Sequence, residues 1–257
     1  MRTLVLVILI YFSTFNHLVE ANHDIPVQIY VAKYQKYTLY IDCNRKASFA
    51  FNYVIDSDTG NETRYGSFYD DINMPSHCKQ LSRSSYRLIN KNTELSYDRG
   101  HLAAANHFDS SKALLKEVNF MSNVLPQTVA LNRGAWKRTE ELIECYRDLF
   151  PVTTLGGVIW GNDSSNDYFV NSHGVETPDY FWRLLSGVNS NGKEFYSACI
   201  LPNDGSARSS NLVHYEVSHE KLMELVKIRK SKELLRDITV TLGEPFKYSK
   251  RCKFYES

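Results

Sequence analysis

The chain has 257 residues, 43% of them hydrophobic and 23% charged, and a formal net charge of +1. A chain of that size buries a substantial core without needing disulfides, and its composition is that of an ordinary globular protein rather than a disordered polymer. The near-neutral balance excludes a polyanion binder that works by bulk charge and leaves room only for a locally basic site.

In chain order, residues 1–21 read as a secretory leader. Arg2 precedes the apolar run Leu4–Phe12, which is too short to span a bilayer. Val19-Glu20-Ala21 puts small residues at positions −3 and −1 of a cleavage site before Asn22. No later stretch is long and apolar enough to be transmembrane. This predicts a secreted protein, extracellular or periplasmic in a bacterium, with no stable membrane association. Residues 22–257 contain no repeat or Pro/Gly-rich linker, so they are expected to form one domain.

Val27–Val31, Thr38–Asp42 and Ser48–Ile55 are rich in β-branched and aromatic residues and predict strands. Asp56–Gly60 predicts a turn, and residues 70–93, polar and without a period, predict a long loop. A helix should begin near Asn132–Gly134 and run to about Leu149, with Leu142, Ile143, Tyr146 and Leu149 on one face and Pro151 as the stop. Gly157–Trp160, Tyr180–Val188, Glu194–Leu201 and Ile238–Leu242 predict further strands. Between the last two, a helix over about His219–Leu235 has Ser218 as its N-cap. The expected fold class is α+β, a mostly antiparallel central β-sheet flanked by helices.

Past the leader lie Cys43, Cys78, Cys145, Cys199 and Cys252, with no CxxC pair and no Cys/His zinc pattern. In an oxidising compartment they allow two disulfides and one thiol, with the pairing open. Asn61-Glu62-Thr63 and Asn162-Asp163-Ser164 are glycosylation sequons if the host is eukaryotic.

The chemistry concentrates in Tyr97-Asp98-Arg99-Gly100-His101. A histidine titrates near neutrality and can take a proton from water, and an arginine two residues earlier offers a donor fork that matches phosphate. Gly100 between them permits tight backbone geometry. On residue types alone, a structural histidine beside a surface arginine is the commoner arrangement. A second block follows: Ser122-Asn123-Val124-Leu125-Pro126-Gln127, then Leu131-Asn132-Arg133-Gly134-Ala135-Trp136, then Glu140.

Together the two blocks resemble the DNA/RNA non-specific endonuclease family. That family shows DRGH, an SNxxPQ stretch, LNxxxW, and a glutamate eight residues after the second asparagine. The resemblance implies a ββα-metal, or His-Me finger, catalytic motif and hydrolysis of DNA and RNA with magnesium, manganese serving as a substitute. By this match His101 is the general base and Asn132 the direct metal ligand. Glu140 holds the metal's water shell, Arg99 contacts phosphate, and Asn123 orients the site. Arg64 falls about where the family has an upstream phosphate-contacting arginine. The expected products carry 5′-phosphates.

The Asn132–Glu140 spacing is physically sensible on its own. Eight residues of α-helix give ~80° of rotation and ~12 Å of rise, so the two share a face but do not readily ligate one ion side by side. One direct ligand plus a water-mediated carboxylate suits magnesium, which keeps several waters. One departure stands out. The family often has an arginine four residues after the acidic residue, and here that position is Glu144. The alternative it leaves open is a secreted nucleic-acid-binding homologue that is weak or inactive in catalysis. His214 and His219 miss the spacing of a zinc helix and read as surface or packing residues. His107 receives no role, the basic run Lys227–Lys232 reads as a solvated helix face, and Asp98 as a residue that orients local structure or a neighbouring side chain rather than a metal ligand.

Overall fold

A computed structural model describes residues 28–57, 60–64, 66–88, 94–227 and 244–245. The predicted leader, the strand over 238–242, the helix beyond residue 227 and Cys252 lie outside the described residues.

The predicted central sheet is present. Strands β1 (Ile29–Lys33), β2 (Tyr37–Asp42), β3 (Ala47–Ile55), β6 (Val152–Ile159), β7 (Tyr180–Val188) and β8 (Glu194–Pro202) pair antiparallel in that order, and the two-residue β9 (Glu244–Pro245) adds in parallel beside β8. Alternation drives the packing. On β2, Tyr37, Leu39 and Ile41 are buried, and on β3 so are Phe51, Tyr53 and Ile55. The interior strand β7 is buried on both faces. Phe181 and Leu185 join a large core with Phe51, Trp136 and Ile143, while Trp182 and Leu184 join a smaller one with Ala50, Leu155 and Leu222.

Helix α2 (Lys137–Arg147) covers the first face through Leu142, Ile143 and Tyr146. On the second face lies α4 (His219–Lys227), through Leu222 and Val226. This is the α+β arrangement expected from the sequence. The short helices α1 (Lys112–Val118), capped by the Ser111 hydroxyl, and α3 (Val170–His173) sit in connections.

Several boundaries differ from expectation. β6 starts at Val152, not Gly157, because Pro151 and the Gly156-Gly157 pair hide the alternation of Val152–Leu155. A second, two-stranded sheet is the ββ pair of the ββα motif that the family resemblance implied, although residue propensity alone did not predict its strands. It pairs β4 (Tyr97–His101) with β5 (Val124–Thr128), with His101 opposite Val124 and Arg99 opposite Pro126. Polar residues, a glycine and a proline mask both strands. The helix begins at Val129, earlier than Asn132, and contains a π-helical stretch over Leu131–Trp136 before α2. Asn132 and Glu140 are therefore not separated by eight α-helical steps, and the ~80° reckoned for a regular helix does not apply. Gly134 lies inside the bulge at φ −109°, ψ −110°, where an added Cβ would come within 3.0 Å of Arg208 Cα.

Two disulfide-bonded sites fit the cysteine reading. Cys43 bonds Cys78, Cys145 is also disulfide-bonded, and Cys199 is a buried thiol. Among the described residues no helix is long and apolar enough to cross a membrane.

Candidate active site

Strand β4 presents Arg99 and His101 on one face, because side chains two apart on a strand point the same way. Gly100 between them faces Gln127, and a Cβ there would sit 2.7 Å from the Gln127 Cβ, so the close strand pairing needs glycine. Phe68 links the two functional side chains. The Arg99 guanidinium lies 3.9 Å from its ring centroid, and its ring is 5.4 Å from that of His101. Arg99 also donates to the Arg83 carbonyl at 3.0 Å.

His101 is held by a residue the sequence reading missed. Its Nε2 lies 2.8 Å from Asn119 Oδ1. An amide oxygen only accepts, so Nε2 carries the proton and Nδ1 is the basic nitrogen. Burial lowers the imidazole to about 4, with Arg64 and Arg99 pushing the same way and the Asn119 hydrogen bond opposing. The ring is neutral at pH 7. Trp136, wholly buried, donates its Nε1–H to the His101 carbonyl at 2.9 Å and ties the helix to the end of β4.

Asn123 is fully buried and spends its whole amide on backbone. Its Oδ1 accepts from the Ala103 N–H, and its Nδ2 donates to the Ala103 and Val118 carbonyls, each at 2.9 Å. It is a staple between the segment after His101 and α1, and it orients the site through the backbone.

Asn132 projects from the π-bulge. Its Nδ2 donates to Asp98 Oδ2 at 2.9 Å, which leaves the amide oxygen to face another partner. Asp98 is itself gripped by the Arg133 fork at 2.8 and 2.9 Å, and those two hydrogen bonds with that of Asn132 hold its carboxyl below the usual range against the opposing effect of burial. Asp98 thus orients a neighbour, and that neighbour is Asn132.

Glu140, in the first turn of α2, is pushed up to about 7 by burial, with Glu144 and Glu141 adding to the effect and Arg183 and Arg64 opposing it. Its Oε1 is 3.8 Å from Arg183 Nη2. Arg64 is exposed, contacts Asn106 Oδ1, and acts electrostatically on His101, His107 and Glu140. Glu144 accepts from Asn106 Nδ2 at 2.9 Å and lies 3.8 Å from His107 Nε2. The departure at 144 therefore supports Asn106, the partner of Arg64. His107, given no role from the sequence, is buried against Tyr53 and the Glu140 carbonyl.

The donor set suits a hard divalent cation. It consists of a neutral amide oxygen fixed by Asp98 and a carboxylate one helix away, with no thiolate or imidazole pair. Another cluster that might suggest a metal, Cys43, His77 and Cys78, is the disulfide itself, whose sulfurs are already bonded. The signals that would have found Asn119 and Arg183 are tertiary. Neither lies at a spacing that links it to His101 or Glu140 along the chain.

The chain is similar to known nucleases. The chain is 28% identical over 138 residues to Endonuclease G, mitochondrial, of Bos taurus, covering 49% of this chain and 45% of that protein. It is 26% identical over 129 residues to Nuclease C1 of Cunninghamella echinulata var. echinulata, covering 47% and 51%. It is 25% identical over 142 residues to the Nuclease of Serratia marcescens, covering 51% and 49%. The chain thus spans about half the length of these relatives. A chain of the solved EndoG/EndoGI complex shares the fold, with a TM-score of 0.57 at 18% identity, covering 79% of this chain and 85% of that one. Residues 17–234 match the DNA/RNA non-specific endonuclease family, and this chain belongs to that family.

Proposed function

We propose that this chain is a secreted, metal-dependent endonuclease that hydrolyses phosphodiester bonds of both DNA and RNA. The observation that carries the reading is the Asn119-anchored imidazole of His101. Its Nδ1 is a neutral base, on a strand face shared with an arginine. Nδ1 takes the proton from a water molecule as that water's oxygen attacks phosphorus. The P–O3′ bond breaks and the 3′-oxygen leaves, taking a proton from a second, solvent water, which gives a 5′-phosphate and a 3′-hydroxyl. Arg99, steadied by Phe68 and the Arg83 carbonyl, and Arg64, steadied by Asn106, supply positive charge near the base to grip phosphate. Asn132 would hold the cation through the amide oxygen that Asp98 leaves free, and Glu140 would hold water around it. When bound, magnesium, with manganese as substitute, stabilises the charge that builds on the phosphate oxygens and leaving group.

Secretion is supported by the leader-like residues 1–21 and by disulfide-bonded Cys43, Cys78 and Cys145, which suit an oxidising compartment. The mature domain would be residues 22–257. The test is cleavage of plasmid, single-stranded DNA and RNA by the purified protein, with magnesium and with EDTA. We expect metal-dependent cutting of all three. His101→Ala should fold normally and lose at least the ~10²- to 10⁴-fold that general acid–base help provides. Near-normal cutting by His101→Ala would remove His101 as the base.

A further inference from the structure

We propose that Arg183, on the interior strand β7, is the positioning residue that locks the general-base end of β4 to the acidic turn of α2. The inference rests on the roles given above to His101 and Glu140. Arg183 is 1% exposed, in the middle of a hydrophobic sheet. A leucine would fill that space without the penalty of burying a cation, so packing does not explain the residue. Its contacts do. Nη2 donates to the Leu102 carbonyl at 3.1 Å, one peptide after His101, and lies 3.8 Å from Glu140 Oε1. Nη1 donates to Thr139 Oγ1 at 2.5 Å, beside Glu140. The guanidinium stacks on Trp136 at 3.7 Å, the same indole that holds the His101 carbonyl. The Thr139 hydroxyl gives its own proton to the Trp136 carbonyl at 2.6 Å, so it is free to accept from Arg183.

One planar fork therefore touches the backbone after His101, the Glu140 carboxylate, and the two helix residues between them. Only a guanidinium has this geometry. A lysine in its place supplies the charge at a single point. Shifts of about 1 Å in a reacting constellation cost on the order of 10²-fold in rate, which sets the expected effect of losing the clamp.

The test compares Arg183→Met, Arg183→Lys, Thr139→Val and Glu140→Gln. The readouts are kcat and KM on DNA, magnesium affinity by calorimetry without substrate, and melting temperature. Well below its melting point, Arg183→Met should lose kcat by ~10²-fold with KM little changed. Its magnesium affinity should fall ~10- to 100-fold, as for other residues that orient a metal's protein partners. Arg183→Lys should recover melting temperature but not kcat.

A wild-type kcat and magnesium affinity in folded Arg183→Met overturns the inference. Should Arg183→Met not fold, Thr139→Val, which removes one anchor and no charge, should still lower both kcat and magnesium affinity several-fold, and unchanged values overturn the inference. If Glu140→Gln cleaves like wild type, the role of Glu140 falls and this inference with it. If Glu140→Gln is inactive while Arg183→Met is normal, only the role of Arg183 falls.

Discussion

His107→Gln should flatten the acid sensitivity of this fold. The His107 ring is buried, with Nε2 facing the Glu140 carbonyl at 3.3 Å and Nδ1 facing the Tyr53 hydroxyl at 2.9 Å. A carbonyl only accepts, so Nε2 carries the hydrogen and Nδ1 accepts from Tyr53. The neutral ring is satisfied as it stands. Burial, aided by Arg183, Arg147 and Arg64, lowers its pKa to about 3. In the unfolded chain the same group titrates near ~6.5. Between those values the unfolded state binds a proton that the folded state refuses. Stability from this group is therefore complete above about pH 6.5 and falls as the pH drops toward 3, by about 1.4 kcal/mol per pH unit. From pH 7 to pH 5 the loss is about 2 kcal/mol. His101 and His173 are lowered too and act in the same direction, while the raised Glu140 acts oppositely. The measurement is accordingly a difference. Urea unfolding of wild type and His107→Gln at pH 5 and pH 7 should show a pH dependence smaller by about 2 kcal/mol in the variant, whose amide can still donate to Glu140 and accept from Tyr53. Identical pH dependence in the two proteins would refute the reasoning.

Three further outcomes are expected. Asp98→Ala frees the Asn132 amide to rotate, and the magnesium concentration giving half-maximal cleavage should rise ~10- to 100-fold; an unmoved curve would show that Asp98 does not set the ligand's orientation. Asn123→Ala leaves the Ala103 N–H and two buried carbonyls without partners, and at roughly 1–3 kcal/mol for each such group, partly recovered by relaxation, urea unfolding should report about 3 kcal/mol less stability. Phe68→Ala removes the ring under Arg99, worth about 0.5–1 kcal/mol at a part-exposed site, so KM for DNA should rise a few-fold, and an unchanged KM would show that the ring does not steady Arg99.

The sheet was legible where β-branched and aromatic residues cluster, as in Ser48–Ile55 and Tyr180–Val188. The catalytic strands were not, because Asp98, Gly100 and Pro126 serve the site rather than strand propensity. The motif residues were legible because their spacing is fixed by one contiguous ββα unit. Asn119 lies inside that unit but carries no pattern of its own, since its partnership with His101 depends on how the chain folds between β4 and β5. Arg183 lies still further off, brought in by β7. A charged residue in a strand sequence, Phe181-Trp182-Arg183-Leu184-Leu185, gives no hint of what it meets. The Asn132–Glu140 relation was read with a regular helix, and the bulge changed it.

That bulge makes chain length itself a part of the site. The segment is bent at Gly134 rather than continuing one α-helical ladder, so removing one residue between Leu131 and Trp136 changes the path from Asn132 to Glu140. Each residue of an α-helix turns the chain by about 100°, and the segment bearing Asn132 would swing by that much relative to Glu140. Substitutions on the outer face of this helix are local events, but an insertion or deletion in these six positions is a rotation.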